Sequence, residues 1–310
     1  MRQASVPRRE AIVGPRRPGA FKHETIDGYL FISPWLLGFL FFTVGPMIAS
    51  IYLSFTEWNL LLPARWVGLA NFAGALKDDV FWLSLYNTAY YTFLSVPLHL
   101  LASLLLAVML NVRIHGTRFY RTLYYIPSIT PVVASSILWI WFFNPTYGVA
   151  NAILKAVGLP PQMWFFDTAL AKPTFVLISL WGIGQSTIII LAGLQGVPQE
   201  LYEAAEMDGA GTWNKFWNIT WPMISPTTFF VFIMAIIGGF QGGFMQAYIM
   251  TGGGPDRSTT TLEYLIYNHL YSWQHVGYAA SIAWFVFVII FIITLFNWRF
   301  GGRLVQYYHY

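Results

Sequence analysis

The side chains best placed for chemistry in this sequence are neutral hydrogen-bonding groups inside long apolar runs. Gln185 lies in the Trp-Gly-Ile-Gly-Gln segment 181–185, and Gln241 lies in the Phe-Gln-Gly-Gly segment 240–243. An amide can both donate and accept hydrogen bonds, so these side chains could contact a polar substrate. Polar groups in apolar surroundings need a partner or a cavity. Hydrogen bonding between neighbouring helices is the alternative explanation.

A second distinctive stretch is acidic and runs from residue 199 to residue 208 as Gln-Glu-Leu-Tyr-Glu-Ala-Ala-Glu-Met-Asp. Acidic residues at its start favour a helix, and Gly209 favours its end. A helix of about three turns is not stable alone in water, so we expect it to pack on a partner surface. Ala204 and Ala205 would allow close approach, and Glu203 would offer a carboxylate. A solvated acidic connector is the alternative.

The remaining residue types exclude most enzyme chemistry. The sequence contains no cysteine, which excludes disulfides, thiolate catalysis and cysteine-ligated metals. Its six histidines are scattered without metal-ligand spacing, and no Gly-Lys-Ser/Thr phosphate loop is present. We therefore predict no catalytic residues, no metal and no cofactor. Any energy for work must come from another chain.

Long apolar segments must position these side chains. Apolar residues make up 56% of the chain and charged residues only 10%, whereas a soluble domain carries about 25% charged residues. Six runs contain no Asp, Glu, Lys or Arg and reach the roughly 20 residues that a membrane helix needs. These runs are 29–55, 84–111, 122–144, 173–195, 222–249 and 280–298. We predict an all-α integral membrane protein with six transmembrane helices.

The basic residues indicate its orientation. With the amino terminus in the cytoplasm, 12 of the 17 Lys and Arg residues lie in cytoplasmic segments, as the positive-inside rule requires. Both termini and the loop 196–221 are then cytoplasmic. The sequence pI of about 9.2 reflects this topology, so we predict no nucleic-acid partner. The first apolar run exceeds the roughly 7–15 residues of a signal-peptide core and is expected to remain as a helix.

Proline and glycine residues predict where helices break. Pro127 and Pro131 each remove a helical hydrogen bond, so the third helix is expected to be kinked or partly unwound there. Such a break fits either a substrate passage or a purely structural kink. Glycines 252–254, followed by Pro255, should end the fifth helix abruptly. Threonines 259–261 could then cap a short helix.

The stretch 199–222 resembles the EAA loop of the membrane-spanning subunits of ABC importers. That pattern has Glu-Ala-Ala, three residues, Gly, nine residues, Ile, one residue and Leu-Pro, and Trp221 stands here in place of the Leu. The matching residues are Glu203, Ala204, Ala205, Gly209, Ile219 and Pro222. The resemblance implies that the loop 196–221 forms a coupling helix docked in a cleft of an ATPase subunit. It also implies a salt bridge from Glu203 to an ATPase arginine.

Two further segments resemble the carbohydrate branch of these permeases. One is Trp-Val-Gly-Leu-Ala-Asn-Phe at 66–72, and the other runs from Thr-Gly-Gly-Gly-Pro at 251–255 to Gly-Tyr-Ala-Ala at 277–280. The resemblance covers about residues 29–300 and implies the type I ABC importer permease fold. Matched to the larger permease of the maltose transporter, it implies sugar contacts at Ser128, Trp181, Gly182, Gln185, Phe240 and Gly243. We add Gln241 for its position, and since the side chains mostly differ, maltose itself is not implied.

The expected organisation is a cytoplasmic tail (1–28), a first helix with an external loop (29–83), a core (84–300) and a short tail (301–310). The resemblance implies a second homologous permease, two ATPase subunits and an extracytoplasmic solute-binding protein, in the cytoplasmic membrane of a prokaryote. The substrate would be a sugar or oligosaccharide, with a polyol or glycerol-3-phosphate as the alternative. An ion-coupled secondary transporter fits poorly, because the runs lack carboxylates and internal repeats.

Overall fold

A computed structural model of the protein describes residues 20–112 and 116–301. Chain contacts divide the protein into a unit that ends at residue 52 and a unit that begins at residue 53. In the first unit, α1 (Ala20–Phe39) passes through a π-helical turn (Leu40–Val44) into α2 (Gly45–Ser54). Together they give an apolar helix from Thr25 to Ser54 that is long enough to cross a bilayer.

The second unit opens with a short antiparallel hairpin and two helices. Strands β1 (Thr56–Glu57) and β2 (Arg65–Trp66) pair with Thr56 opposite Trp66. Helix α3 (Ala70–Lys77) precedes α4 (Asp79–Asn111), which has 33 residues. The Asp78 carboxylate accepts a hydrogen bond of 2.8 Å from Val80 N and so caps α4, the usual role of Asp at this position.

Two pairs of helices follow, and each pair is bent. Helices α5 (Thr117–Ile129) and α6 (Val132–Phe142) meet at 95°. Thr130 and Pro131 lie in the break with ψ of 131°, so the predicted kink is confirmed. After α7 (Val149–Ala156), helix α8 (Ala171–Ser179) runs through a 3-10 turn (Leu180–Gly182) to α9 (Gly184–Gln195), with a bend of 49°.

The carboxyl-terminal half contains one short exposed helix and two further spans. The first elements in chain order are α10 (Gln199–Met207), α11 (Thr212–Lys215), a π turn (Phe216–Thr220) and α12 (Trp221–Phe240). They are followed by α13 (Phe244–Gln246), a π turn (Ala247–Thr251), α14 (Leu262–Tyr267), a π turn (Asn268–Ser272) and α15 (Val276–Gly301). The fifth span stops at Gly252 (φ 59°) and Gly253 (φ 84°), a backbone region that favours glycine. Thr261 Oγ1 accepts from Tyr264 N at 3.3 Å and caps α14, as predicted.

The described residues contain four helices long and apolar enough to cross a membrane, and six spans result if each bent pair is one crossing. The largest apolar cluster joins α4, α9 and α12 through residues such as Leu106, Ile190 and Ile224. These helices approach closely because Gly193 has no side chain: a Cβ there would lie 2.9 Å from Thr227 Oγ1. Small residues commonly allow such packing between membrane helices.

Candidate functional site

A cavity of about 590 Å³ lies where the two bent helix pairs face α4 and α12. Helix α4 lines it with Tyr91, Ser95 and His99, which are spaced four residues apart and so share one helix face. Ser128 reaches it from beside the α5–α6 break, and Gln185 from beside the α8–α9 break. The cavity is therefore built from the irregular parts of two helices against the regular faces of two others.

The two bent pairs meet at Gly184. A Cβ on this residue would overlap the Tyr124 carbonyl oxygen and lie 3.0 Å from Tyr125 Cα. Backbone thus packs directly on backbone, an approach that requires glycine at this position. Since Ser128 and Gln185 are close in sequence to this contact, it holds both residues on the cavity wall.

The structure brings together four of the seven predicted sugar contacts. Ser128, Trp181, Gly182 and Gln185 all line the 590 Å³ cavity. Phe240, Gln241 and Gly243 are not among the lining residues.

Each of these three lies in different surroundings. Phe240 is 1% exposed and packs with Val96 and Ile236. Gln241 is exposed where α12 ends. Gly243 has φ 87° and faces Thr261 instead.

The lining of this cavity, which we name the central cavity, combines apolar side chains with uncharged polar ones. His99 Nε2 and Ser186 Oγ are 2.9 Å apart, and the Ser128 hydroxyl donates to the Tyr125 carbonyl at 2.7 Å. Gln185 has no hydrogen-bond partner among the described residues, so its amide is available to a ligand. Among the described lining residues there is no Asp, Glu, Lys or Arg. Such a surface suits a ligand that offers hydroxyl groups and no charge.

Several lining residues were not predicted as site residues from the sequence. Trp139 lines the cavity and meets Trp181 edge-on, with ring centroids 5.3 Å apart. Gln246 lines it from α13. The four-residue spacing of Tyr91, Ser95 and His99 could have predicted that one face of α4 lines a cavity. Nothing in the sequence distinguishes Trp139 from a tryptophan that faces lipid.

A buried asparagine near Tyr91 links three segments of the chain. Asn87 is 2% exposed, and its Nδ2 donates to the carbonyl groups of Arg257 at 2.9 Å and Thr260 at 3.0 Å. Its Oδ1 accepts from Lys172 Nζ at 3.1 Å. The Lys172 ammonium also lies 4.6 Å from the centre of the Tyr86 ring, a favourable cation–π distance. Asn87 therefore ties the segment before α14 to α4 and α8.

The EAA segment forms the exposed helix α10, none of whose residues is buried. It ends in a Schellman motif, because Ala210 N donates to the Ala205 carbonyl at 2.8 Å and Gly209 N to the Glu206 carbonyl at 3.0 Å. Gly209 has φ 76°, the left-handed conformation that this motif requires. The predicted helix and its terminator are both confirmed.

Two contacts hold α10 against the start of the fifth span. Tyr202 Oη and Thr220 Oγ1 are 2.9 Å apart, and Lys215 Nζ lies 2.7 Å from Glu206 Oε1. Glu206 is thus paired within the chain, whereas Glu203 is exposed and has no ion-pair partner among the described residues.

The other EAA residues lie at the base of α10 and beyond it. Ala204 is exposed and Ala205 is partly exposed on α10 itself. Ile219 lies in the π turn, and Pro222 lies in the first turn of α12. The segment therefore leaves one face exposed while its base joins a membrane span.

Comparison with known proteins gives the family. The profile of the family described as binding-protein-dependent transport system inner membrane component matches residues 99–305. The probable ABC transporter permease YesP of Bacillus subtilis is 38% identical, over 94% of this chain and 96% of that protein. The arabinooligosaccharides transport permease AraP of B. subtilis is 34% identical, over 88% of each chain. The trehalose/maltose permease MalF of Thermococcus litoralis is 34% identical, over 86% of this chain and 91% of that protein.

The fold agrees with a solved transporter. A chain of a bacterial ABC transporter involved in the import of the acidic polysaccharide alginate superposes with a TM-score of 0.81 at 24% identity. The match covers 92% of this chain and 99% of the other. The broken spans, the exposed EAA helix and these relatives lead to one assignment. This multi-pass membrane protein belongs to the family of binding-protein-dependent transport system inner membrane components, the permease subunits of ABC transporters.

Proposed function

We propose that this permease forms half of the membrane pathway of an ATP-driven importer of neutral sugars or oligosaccharides. It would pair with a second homologous permease, two ATPase subunits and an extracytoplasmic solute-binding protein. Both termini and α10 would lie in the cytoplasm of a prokaryote, as the distribution of Lys and Arg requires.

The observation that carries this proposal is the exposed helix α10. It is nine residues long, has no buried residue and joins two membrane spans. A helix this short draws its stability from tertiary contacts, and α10 has no buried residue and is held mainly by Tyr202 and Glu206, which supports a missing partner surface. Glu203, Ala204 and Ala205 supply a carboxylate beside two small side chains, which suits a cleft with a basic residue. ATP-driven movement of that partner would be transmitted through α10 to the membrane spans.

The substrate class follows from the cavity. Its volume of about 590 Å³ falls within the usual range for small-molecule sites. The residues proposed to contact the sugar in this cavity are Ser128, Trp181, Gly182 and Gln185, with Trp139, His99 and Gln246 beside them. Because no charged group lines it within the described chain, a neutral sugar fits better than glycerol-3-phosphate.

Phe240, Gln241 and Gly243 remain proposed contacts only for a state in which the end of α12 rearranges. Phe240 is buried among apolar side chains here, so a sugar could touch it only after such a change.

Affinity capture of the tagged full-length chain from its native membrane tests the assignment. Mass spectrometry of the intact complex should find one second permease, two copies of an ATPase and a solute-binding protein, whose bound sugar names the substrate. A chain recovered alone, or only as a homo-oligomer in several mild detergents, would contradict the proposal.

A further inference from the structure

We propose that the permease carries a second carbohydrate site, separate from the central cavity, on the membrane face opposite α10. It is a cavity of about 1160 Å³ between the β1–β2 hairpin and the segment that precedes α15. The span Thr212–Thr251 separates α10 from that segment, which places the cavity on the other side of the membrane. We name it the outer cavity and define it by Trp58, His269, Trp273, Gln274 and Tyr278.

The two walls of the outer cavity are fixed to each other. Val276 N donates to the Trp58 carbonyl at 3.0 Å, which joins the hairpin to the start of α15. Asn71 Nδ2 donates to the carbonyl groups of Ser54 and Thr56, each at 2.9 Å. A Cβ on Gly277 would overlap the Thr56 carbonyl oxygen, so the two backbones touch. The cavity is therefore preorganised, which lowers the entropic cost of binding.

Aromatic side chains supply the surface on which a sugar ring would stack. Trp58 and Trp273 both line the outer cavity, and Trp273 is half-exposed. Among the described residues, no ring stacks on Trp58. Trp273 touches the His269 ring only edge-on, with centroids 4.5 Å apart. Indole faces thus remain available for the apolar face of a sugar.

Two polar side chains, His269 and Gln274, lie beside these rings, and Gln274 is the more accessible of the two to sugar hydroxyl groups. His269 is 9% exposed, and its buried Nδ1 has no hydrogen-bond partner in the described part of the chain. Burial, and then the nearby His275, lower the pKa of His269 to about 4, so the imidazole is neutral near neutral pH. A neutral imidazole can both donate and accept. Gln274 is exposed beside it with φ 57°, an uncommon conformation for this residue type.

The one Lys or Arg among the described lining residues of the outer cavity is paired with a carboxylate. Arg65 Nη2 lies 2.5 Å from Glu57 Oε2, so the guanidinium and the carboxylate form a pair. The Tyr278 hydroxyl donates to Asp78 Oδ2 at 2.9 Å, which occupies that carboxylate as well. An anionic headgroup would meet no free Lys or Arg among the described lining residues, whereas an uncharged glycan needs no counter-charge. The chemistry therefore points to a neutral sugar ring.

This site deepens the proposed function, on which its biological role rests. A weak site at the outer face would hold part of an oligosaccharide while the remainder enters the central cavity. Stacking tolerates different ring stereochemistry, so the outer cavity is expected to bind at least one of several neutral trisaccharides weakly.

Fluorine NMR of the full-length chain, labelled with fluorotryptophan and held in nanodiscs, tests the inference. Maltotriose, arabinotriose and cellotriose are titrated separately, and Trp→Phe variants assign the signals. The Trp58 and Trp273 signals should shift saturably with at least one trisaccharide. The signal of Trp213, which is 71% exposed beside α10, should not move.

A matched pair of variants isolates the outer cavity. Trp273→Ala should abolish the shift at Trp58. Trp66→Ala removes an exposed tryptophan that stacks on Phe55 outside the lining, so the shift should remain. Chemical shifts elsewhere show whether each variant is folded.

Three results would overturn the inference. The first is that none of the three sugars shifts the Trp58 or Trp273 signal saturably. The second is that a sugar shifts the Trp58 signal in Trp273→Ala as much as in the natural chain. The third is that only phosphatidylglycerol, or only the solute-binding protein, produces a shift. The measurement uses no ATPase, so its failure is separate from a failure of the importer assignment.

Discussion

Substituting Gly209 should weaken the link between this permease and its ATPase without disturbing the membrane spans. Gly209 has φ 76°, and a Cβ there would meet no atom within 4 Å. The cost of Gly209→Ala is therefore backbone strain alone, about 1–2 kcal/mol for an L-residue in the left-handed region. That energy corresponds to roughly a 5–30-fold loss in the population of the docking-competent helix end. ATPase affinity should fall by the same factor.

Two further variants test whether the positive φ of Gly209 is the cause of the lost affinity. Gly211 also has open space around it, but its φ is −69°, so Gly211→Ala should bind the ATPase as the natural chain does. Gly209→Asn should recover part of the affinity, because Asn tolerates the left-handed region better than Ala. The assay is equilibrium binding of the co-purified ATPase to the permease in nanodiscs, followed by sugar-stimulated ATP hydrolysis. Equal affinities for Gly209→Ala and Gly211→Ala would refute the reasoning.

Three other predictions concern the cavity and the loops around it. Gly184→Ala should force α9 away from the backbone of Tyr124 at a cost of about 1–3 kcal/mol, and uptake should fall at least several-fold. Gly38→Ala on α1, with no atom within 4 Å of its Cβ and no place in the cavity lining, should be milder, and equal uptake by the two variants would argue against the contact. Asn87→Leu removes three hydrogen bonds. It should lower the free energy of unfolding in detergent by a few kcal/mol and so lower the melting temperature. The exposed Asn218→Leu should change it little, and similar melting points would contradict a structural role for Asn87. Burial raises the pKa of Glu263 from 4.5 to about 7, so its contribution to stability should be complete below pH 4.5 and lost as pH rises through 7. Glu263→Gln should make the melting temperature depend less on pH. A variant with the same pH dependence as the natural chain would contradict the raised pKa of Glu263.

Much of the architecture could be predicted because membrane proteins follow strong local rules. Uncharged apolar runs located the spans, prolines at 127 and 131 located the kink, and the glycines at 252–254 located the end of the fifth span. Each of these follows from backbone hydrogen bonding, which the chain must satisfy internally within a bilayer. The exposed helix α10 was likewise predictable, since its terminator and its short length are properties of the local sequence.

The composition of the central cavity was less predictable, because it depends on how broken helices pack. Phe240, Gln241 and Gly243 belong to one apolar run of the sequence. In the structure α12 ends at Phe240 and α13 begins at Phe244, so the three residues lie in different surroundings. The Gly184 contact with Tyr124 joins residues 60 positions apart, and no periodicity signals it. Asn87 was similarly ambiguous, because a buried amide in a membrane helix can bind substrate or, as here, tie a distant loop to α4.

The central claim is that α10 docks on an ATPase, and site-directed crosslinking tests it most directly. The chain has no cysteine of its own, so Ala204→Cys on α10 introduces a single thiol at an exposed position. Tyr147→Cys, 65% exposed between α6 and α7, is the matched control on the opposite membrane face. In native membranes treated with a benzophenone maleimide and then irradiated, the introduced thiol carries a group that inserts into nearby C–H bonds; Ala204→Cys should yield an adduct with an ATP-binding subunit, and Tyr147→Cys should not. If Ala204→Cys formed no adduct with any ATPase, or if both variants formed the same one, the account would be contradicted.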